Sequence, residues 1–189
     1  ESQFQVNHLA QFWLAQMLLP SLRRARAPRV VMVSSIAHWL APARPLLARA
    51  TLNDRNAYNP VAWYGWSKLC NLLFARELAR REPTIKTAAV HPGGVQGKLL
   101  RYAPLPSGLV KFFESLIYWR ANDAAYTVVK PLVHAVPSGA YLVPIGRERR
   151  SSAQADDESL ARELWSFSEK LLCEVLAPGT PARDAMCSA

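Results

Sequence analysis

A chain of 189 residues, half of them hydrophobic, is long enough for one domain with a buried core and too apolar to be disordered throughout. The formal net charge of +9 raises nucleic acid as a partner, with Arg23, Arg24, Arg26 and Arg29, then Arg147, Arg149 and Arg150, as its strongest clusters. The first cluster falls in a connection with no aromatic residues interleaved for base stacking, which argues for solvated loop arginines and against nucleic acid. The three cysteines, Cys70, Cys173 and Cys187, have no metal spacing and one is necessarily odd; they point to a reducing, intracellular and cytoplasmic setting without disulfides or zinc.

Residues 3 to 22 hold no Lys, Arg, Asp or Glu, but Gln3, Gln5, Asn7, His8, Gln11 and Gln16 interrupt the apolar run. That pattern predicts an amphipathic or buried helix rather than a membrane span. Asn7 falls early in it, where an amide can bind a backbone group or a water. Arg29-Val-Val-Met-Val-Ser-Ser-Ile-Ala-His38 reads as a buried parallel strand over 29–34 that ends in two hydroxyls, Ser34 and Ser35. In open α/β sheets ligands bind beyond the carboxyl ends of the strands, where both serines fall. An insertion rich in Pro, Arg and Asn runs from Trp39 to Pro60, and Asn59-Pro60 punctuates the start of a helix over 61–82. Its Leu69, Leu72, Leu73 and Leu78 serve either the core or a subunit interface, the second use implying a homodimer. A strand over 86–91 stops at Pro92-Gly93, a turn through which backbone can approach a flat ligand closely. An apolar segment from Leu99 to Trp119, a helix near 122–135 and a strand from Ala140 to Pro144 follow. Leu160, Leu164, Phe167, Leu171 and Val175 mark an amphipathic closing helix, and residues 177–189 have the composition of a disordered tail.

Tyr64 and Lys68 stand four residues apart on one helix and so share a face. A phenol titrates near pH 10, and a neighbouring cation favours the phenolate and moves it toward the working range, which makes the pair an acid–base device. On spacing alone a solvated helix face is the better account of the pair. His38 and His91 flank the two strand ends, where single histidines serve as hydrogen-bond groups more often than as ligands, and neither has a second ligand at metal spacing. Gly65-Trp-Ser67 suggests a hydrolase nucleophile elbow, but Leu69 stands where its closing glycine belongs. Gly93-Gly-Val-Gln-Gly97 follows a strand yet lacks the acidic ribose ligand and second βαβ unit of a phosphate loop, so it reads as a tight turn.

The order of these features, an Asn on a helix, a Ser after a strand, Tyr-x-x-x-Lys on the next helix and then Pro-Gly, resembles the short-chain dehydrogenase/reductase family over about residues 3 to 176. The stretches Phe4-Gln-Val-Asn-His-Leu9, Val33-Ser-Ser35, Ser67-Lys-Leu-Cys-Asn71 and Ala89-Val-His-Pro-Gly93 look like its retinol-dehydrogenase-like branch. The resemblance implies an α/β fold, the C-terminal half of a Rossmann-type doubly wound parallel sheet, working with NADP or NAD. It makes Tyr64 the proton donor or acceptor, Ser35 the hydroxyl that positions the substrate oxygen, and Lys68 the group that lowers the Tyr64 pKa and holds the nicotinamide ribose. Asn7 would hold a water that links Lys68 to solvent, and Pro92, Gly93 and Val95 would lie beside the nicotinamide.

Leu99 to Trp119 falls where the family places its substrate lid, and Phe112, Phe113, Leu116, Ile117 and Trp119 suit a small lipophilic alcohol or carbonyl of steroid, retinoid or aldehyde type. Packing of the lid on its own domain, or a peripheral membrane contact, is the competing use. Two positions depart from the family pattern: Gly97 replaces a Thr or Ser that grips the carboxamide, and Ala10 replaces a helix Gly. All eight glycines lie at or after Gly65, so no strand, Gly-rich turn and helix unit seats a pyrophosphate. The expectation is therefore a C-terminal half that is inactive by itself, or a non-catalytic regulatory or interaction protein on the same fold.

Overall fold

The uncharged opening segment folds as one continuous helix, α1, made of Ser2–Phe4, a π-helical stretch Gln5–Leu9 and Ala10–Arg24. The Glu1 carboxylate caps it, accepting from the amides of Gln3 and Phe4 at 2.9 and 2.8 Å. Phe4, His8, Phe12, Ala15 and Leu19 are buried while Val6, Leu14, Met17 and Leu18 are exposed, so of the two uses left open the amphipathic one holds. Among the described residues no helix is long and apolar enough to cross a membrane. The computed structural model describes residues 1–42, 47–56, 58–95 and 118–176, together with Arg183 and Cys187.

The apolar run Arg29–Val33 forms β1, and a 3-10 turn, Ile36–Leu40, follows the two serines. Within the insertion Arg49–Leu52 makes a short helix, α2. Helix α3 then spans Pro60–Arg81: the Asn59 side chain accepts from the amides of Val61 and Ala62 at 3.0 Å each, and Pro60 sits in the first turn, where its missing N–H costs nothing. Leu69, Leu72, Leu73 and Leu78 are fully buried, which assigns them to the core and not to a subunit interface. Lys86–Val90 forms β2, Gly94–Val95 β3, Tyr118–Trp119 β4, Ala121–Val133 α4, Ala140–Val143 β5, Arg147–Glu148 β6 and Glu158–Val175 α5.

The main sheet has the order β1-β2-β5-β6, with β1 at one edge. β2 runs parallel to both β1 and β5, and only β6 is antiparallel. β3 and β4 form a separate parallel pair. On one face α1, α3 and α5 enclose a core built on Phe12, Trp66, Phe74, Tyr141 and Trp165. On the other, Val128 of α4 packs with Val90, Ala140 and Leu142. The result is an α/β fold, a mostly parallel four-stranded sheet between helical layers.

Two of the basic residues have structural work. Arg23 pairs with Glu82, and the Arg29 guanidinium donates to the carbonyls of Pro131 and His134 at 3.0 and 3.1 Å. One expectation is corrected: Cys173 of α5 and Cys187 are disulfide-bonded, leaving Cys70 as a buried free thiol. An odd cysteine count leaves one thiol over but does not forbid a pair, and their Cα atoms lie 6.0 Å apart, within bridging range. Apart from Arg183 and Cys187, the 177–189 tail lies outside the described residues.

Candidate active site

The site is built where β1 ends against α3. The Val33 carbonyl accepts from Lys68 Nζ at 3.2 Å and from Asn71 Nδ2 at 3.0 Å. Ser34 is buried and its hydroxyl donates to the Lys68 carbonyl at 2.7 Å, so it faces the packing, as its place in the doublet implies. Ser35 stands one residue further and caps the 3-10 turn, its Oγ accepting from the Ala37 amide at 3.2 Å. A hydroxyl used as an acceptor keeps its proton for donation.

Gly65 decides how closely the turn and α3 can meet. A Cβ there would lie 2.6 Å from Ala37 O and 2.9 Å from both Ala41 N and Leu40 C. Only glycine allows this approach, a role that a lone helix glycine signals in a sequence without revealing its partner.

Along α3, Lys68 Nζ lies 5.6 Å from the centroid of the Tyr64 ring. Burial lowers the Lys68 pKa below the ordinary lysine value. The ammonium has three donors, and one is committed to Val33, so the others fit ribose hydroxyls. Among the described residues no hydrogen bond joins Tyr64 to Ser35.

Asn7 lies in the π-helical stretch of α1, and its Nδ2 donates to Ser67 Oγ at 3.1 Å. Ser67 in turn donates to the Tyr64 carbonyl at 2.8 Å and is fully buried, which removes it as a hydrolase nucleophile. This bond between α1 and α3 had no signal in the sequence, because it depends on how the two helices pack.

His38 is buried, with Nδ1 2.7 Å from the Ser35 carbonyl and Nε2 accepting from the Ser152 amide at 3.1 Å. His91 Nδ1 accepts from the Gly93 amide at 3.4 Å. Burial lowers both pKa values, that of His91 to about 4, with the nearby titratable His38 as a second cause, since the two rings disfavour being charged together. Both rings are thus neutral strand-end hydrogen-bond groups. Among the described residues no group of three or more His, Cys, Asp or Glu could hold a metal.

Pro92 leads into Gly93, whose φ of 91° favours glycine. A Cβ at Gly93 would lie 2.4 Å from Trp119 Cδ1 and 3.0 Å from Pro144 Cγ, so an indole is the flat group that uses this approach. The Val95 backbone pairs with Trp119, while its side chain, Gly97 and Leu99 to Ile117 lie outside the described residues.

No family model matches the chain. Human retinol dehydrogenase 14 is 38% identical over 182 residues, covering 91% of this chain and 52% of that protein. The human WW domain-containing oxidoreductase is 33% identical over 186 residues, covering 93% of this chain and 44% of its own length. A crystal structure of an uncharacterized protein from Mycobacterium Paratuberculosis superposes with a TM-score of 0.63 at 32% identity, over 90% of this chain and 58% of that one. The chain spans about half the length of the curated relatives it matches. Along nearly its whole length, and on an α/β sheet of the expected type, the chain is similar to retinol dehydrogenases and a related oxidoreductase, which are members of the short-chain dehydrogenase/reductase family.

Proposed function

We propose that this chain is the catalytic part of an NAD- or NADP-dependent oxidoreductase that interconverts an alcohol and a carbonyl on a small lipophilic substrate. One observation carries the reading: a partly buried Lys68 ammonium is held between the Val33 carbonyl at the end of β1, two residues before Ser35, and the Tyr64 ring. The names of its relatives, retinol dehydrogenases 11, 13 and 14, support a lipophilic alcohol as substrate.

In the reducing direction Tyr64 Oη passes its proton to the carbonyl oxygen, while the Ser35 hydroxyl donates a hydrogen bond to the same oxygen and fixes its position. Lys68 stabilises the phenolate that remains, since an adjacent cation favours the charged form of a phenol. Asn7 holds a water that reconnects Lys68 to solvent. Lys68 and the turn Pro92 to Val95, with the Trp119 indole packed on Gly93, would hold the nicotinamide end of the cofactor, which would supply or take the hydride.

The test has two arms. In the longest natural form of the protein, Tyr64→Phe retains cofactor binding but loses about 100- to 10,000-fold in turnover on a lipophilic aldehyde. A loss under about tenfold overturns the acid–base assignment and favours a non-catalytic interaction role. For the 189-residue chain, calorimetry with NAD and NADP gives weak or no binding. Low-micromolar binding of either would overturn the assignment of these residues to the nicotinamide end alone.

A further inference from the structure

The 3-10 turn after Ser35 presents more apolar surface than its own packing needs. Ile36, Trp39 and Leu40 are each 56% exposed, three large hydrophobic side chains within five residues. They wall a cavity of about 580 Å³ whose other side is formed by Tyr141 of β5 and by Arg149 and Arg150, just beyond β6. That volume lies within the range of small-molecule sites.

The polar groups are few and unpaired. Tyr141 is only 2% exposed, its ring set edge-on to His38 with centroids 5.0 Å apart, and its buried hydroxyl has no hydrogen-bond partner. Buried hydroxyls normally find one, so an unpaired phenol lining a cavity marks a place for a ligand acceptor. Burial pushes the Tyr141 phenol well above its ordinary pKa, opposed by the charge of Arg149, so it stays a neutral donor beside a cation. Neither Arg149 nor Arg150 makes a hydrogen bond or ion pair from its side chain among the described residues. Two guanidiniums and a phenolic O–H are all donors; Glu148 and Asp156 line the adjoining pocket with both arginines but make no ion pair with them, and Asp156 is bound to Arg76.

We propose that the cavity walled by Ile36, Trp39, Leu40, Tyr141, Arg149 and Arg150 binds an anionic amphiphile, a single apolar chain ending in a carboxylate or phosphate. The chain lies on the three residues of the 3-10 turn. The head accepts from the two guanidiniums in the forked geometry that arginine offers to planar and tetrahedral anions, and from the Tyr141 hydroxyl. Hydrocarbon alone would leave three donors unpaired, and a bare anion would leave the apolar wall wet. The site opens next to Ser35 but does not depend on catalysis at Tyr64.

The experiment is calorimetric titration of the 189-residue chain, below micelle concentrations, with dodecanoate, dodecyl phosphate, dodecanol and inorganic phosphate. The two anionic amphiphiles bind with dissociation constants on the order of 1–100 μM, and the alcohol and the bare phosphate bind at least about tenfold more weakly. R149Q/R150Q, two exposed changes, weakens both amphiphiles by about tenfold or more. Tyr141→Phe, which removes only an unpaired hydroxyl, keeps the fold and weakens them in the same direction. Absence of binding by both amphiphiles, equal binding by dodecanol, equal binding by inorganic phosphate, or an unchanged R149Q/R150Q protein would each overturn the proposal.

Discussion

Gly65→Ala sets two effects of opposite sign against each other. In a helix interior alanine is favoured over glycine by about 1 kcal/mol, so propensity predicts a more stable α3. The contacts oppose this. The new Cβ would lie 2.6 Å from Ala37 O, and ordinary contact begins at 3.4 Å, so the 3-10 turn must retreat by roughly 0.8 Å. The nearest atoms, Ala37 O, Ala41 N and Leu40 C, are all backbone and have no rotamer to turn aside. Overpacking of this kind costs about 1–3 kcal/mol, which outweighs the propensity gain and leaves a net loss of about 1 kcal/mol. The turn moves as a unit and carries the cap at Ser35 with it, so the same change loosens the spacing between Ser35 and Tyr64. Urea denaturation of the chain should show a lower midpoint with an unchanged slope. An alanine variant as stable as the wild type, or more stable, would refute the close approach of turn and helix.

Stability also depends on pH through His8, which is fully buried, bonded to Ser168 Oγ at 2.9 Å, and pushed by burial to a pKa of about 3. The unfolded chain takes up this proton near pH 6.5, so the contribution is whole above that pH and is lost at about 1.4 kcal/mol per unit as pH falls toward 3. Denaturation midpoints between pH 7 and 4 should fall accordingly, and His8→Gln should remove one proton from the slope. Asn59→Ala deletes the acceptor for two α3 amides and should cost about 1 kcal/mol by thermal unfolding; no change would mean that water replaces the cap. Ile145 is a β-branched residue at φ 58° and is half-exposed, so Ile145→Asn should stabilise by about 0.5–1 kcal/mol, and a loss in denaturant midpoint would show that its side-chain contacts dominate.

Elements with a long period were readable from residues alone. The α1 run, the Asn59-Pro60 start of α3 and the apolar strands β1, β2 and β5 each repeat a pattern over several residues, and their bounds differ from the expectation by one or two positions. The pairs β3, β4 and β6 are two residues each, too short for any period, and Arg147–Glu148 is a strand only because β5 pairs with it. The same division holds at the site. The order of Asn7, Ser35, Tyr64 and Lys68 is a property of the sequence. The Val33 carbonyl under Lys68, Ser67 between Asn7 and Tyr64, and Gly65 against the turn are properties of packing, set by residues 24 to 60 positions away. The Cys173–Cys187 bond is of the second kind, since a separation of 14 residues has no diagnostic spacing.

The outer margin of β1 gives the lysine a second duty. Lys86 N bonds Pro28 O and Ser34 N bonds Val90 O, so the even-numbered backbone groups of this ladder face β2 and the carbonyls of Arg29, Val31 and Val33 point away from it. Lys68 and Asn71 cover the last of these, where an uncovered carbonyl would invite the strand of another molecule. Lys68→Ala therefore removes one of the two donors over the Val33 carbonyl as well as an ammonium, so a loss of activity in that variant does not by itself report proton transfer. Tyr64→Phe leaves both donors on the Val33 carbonyl.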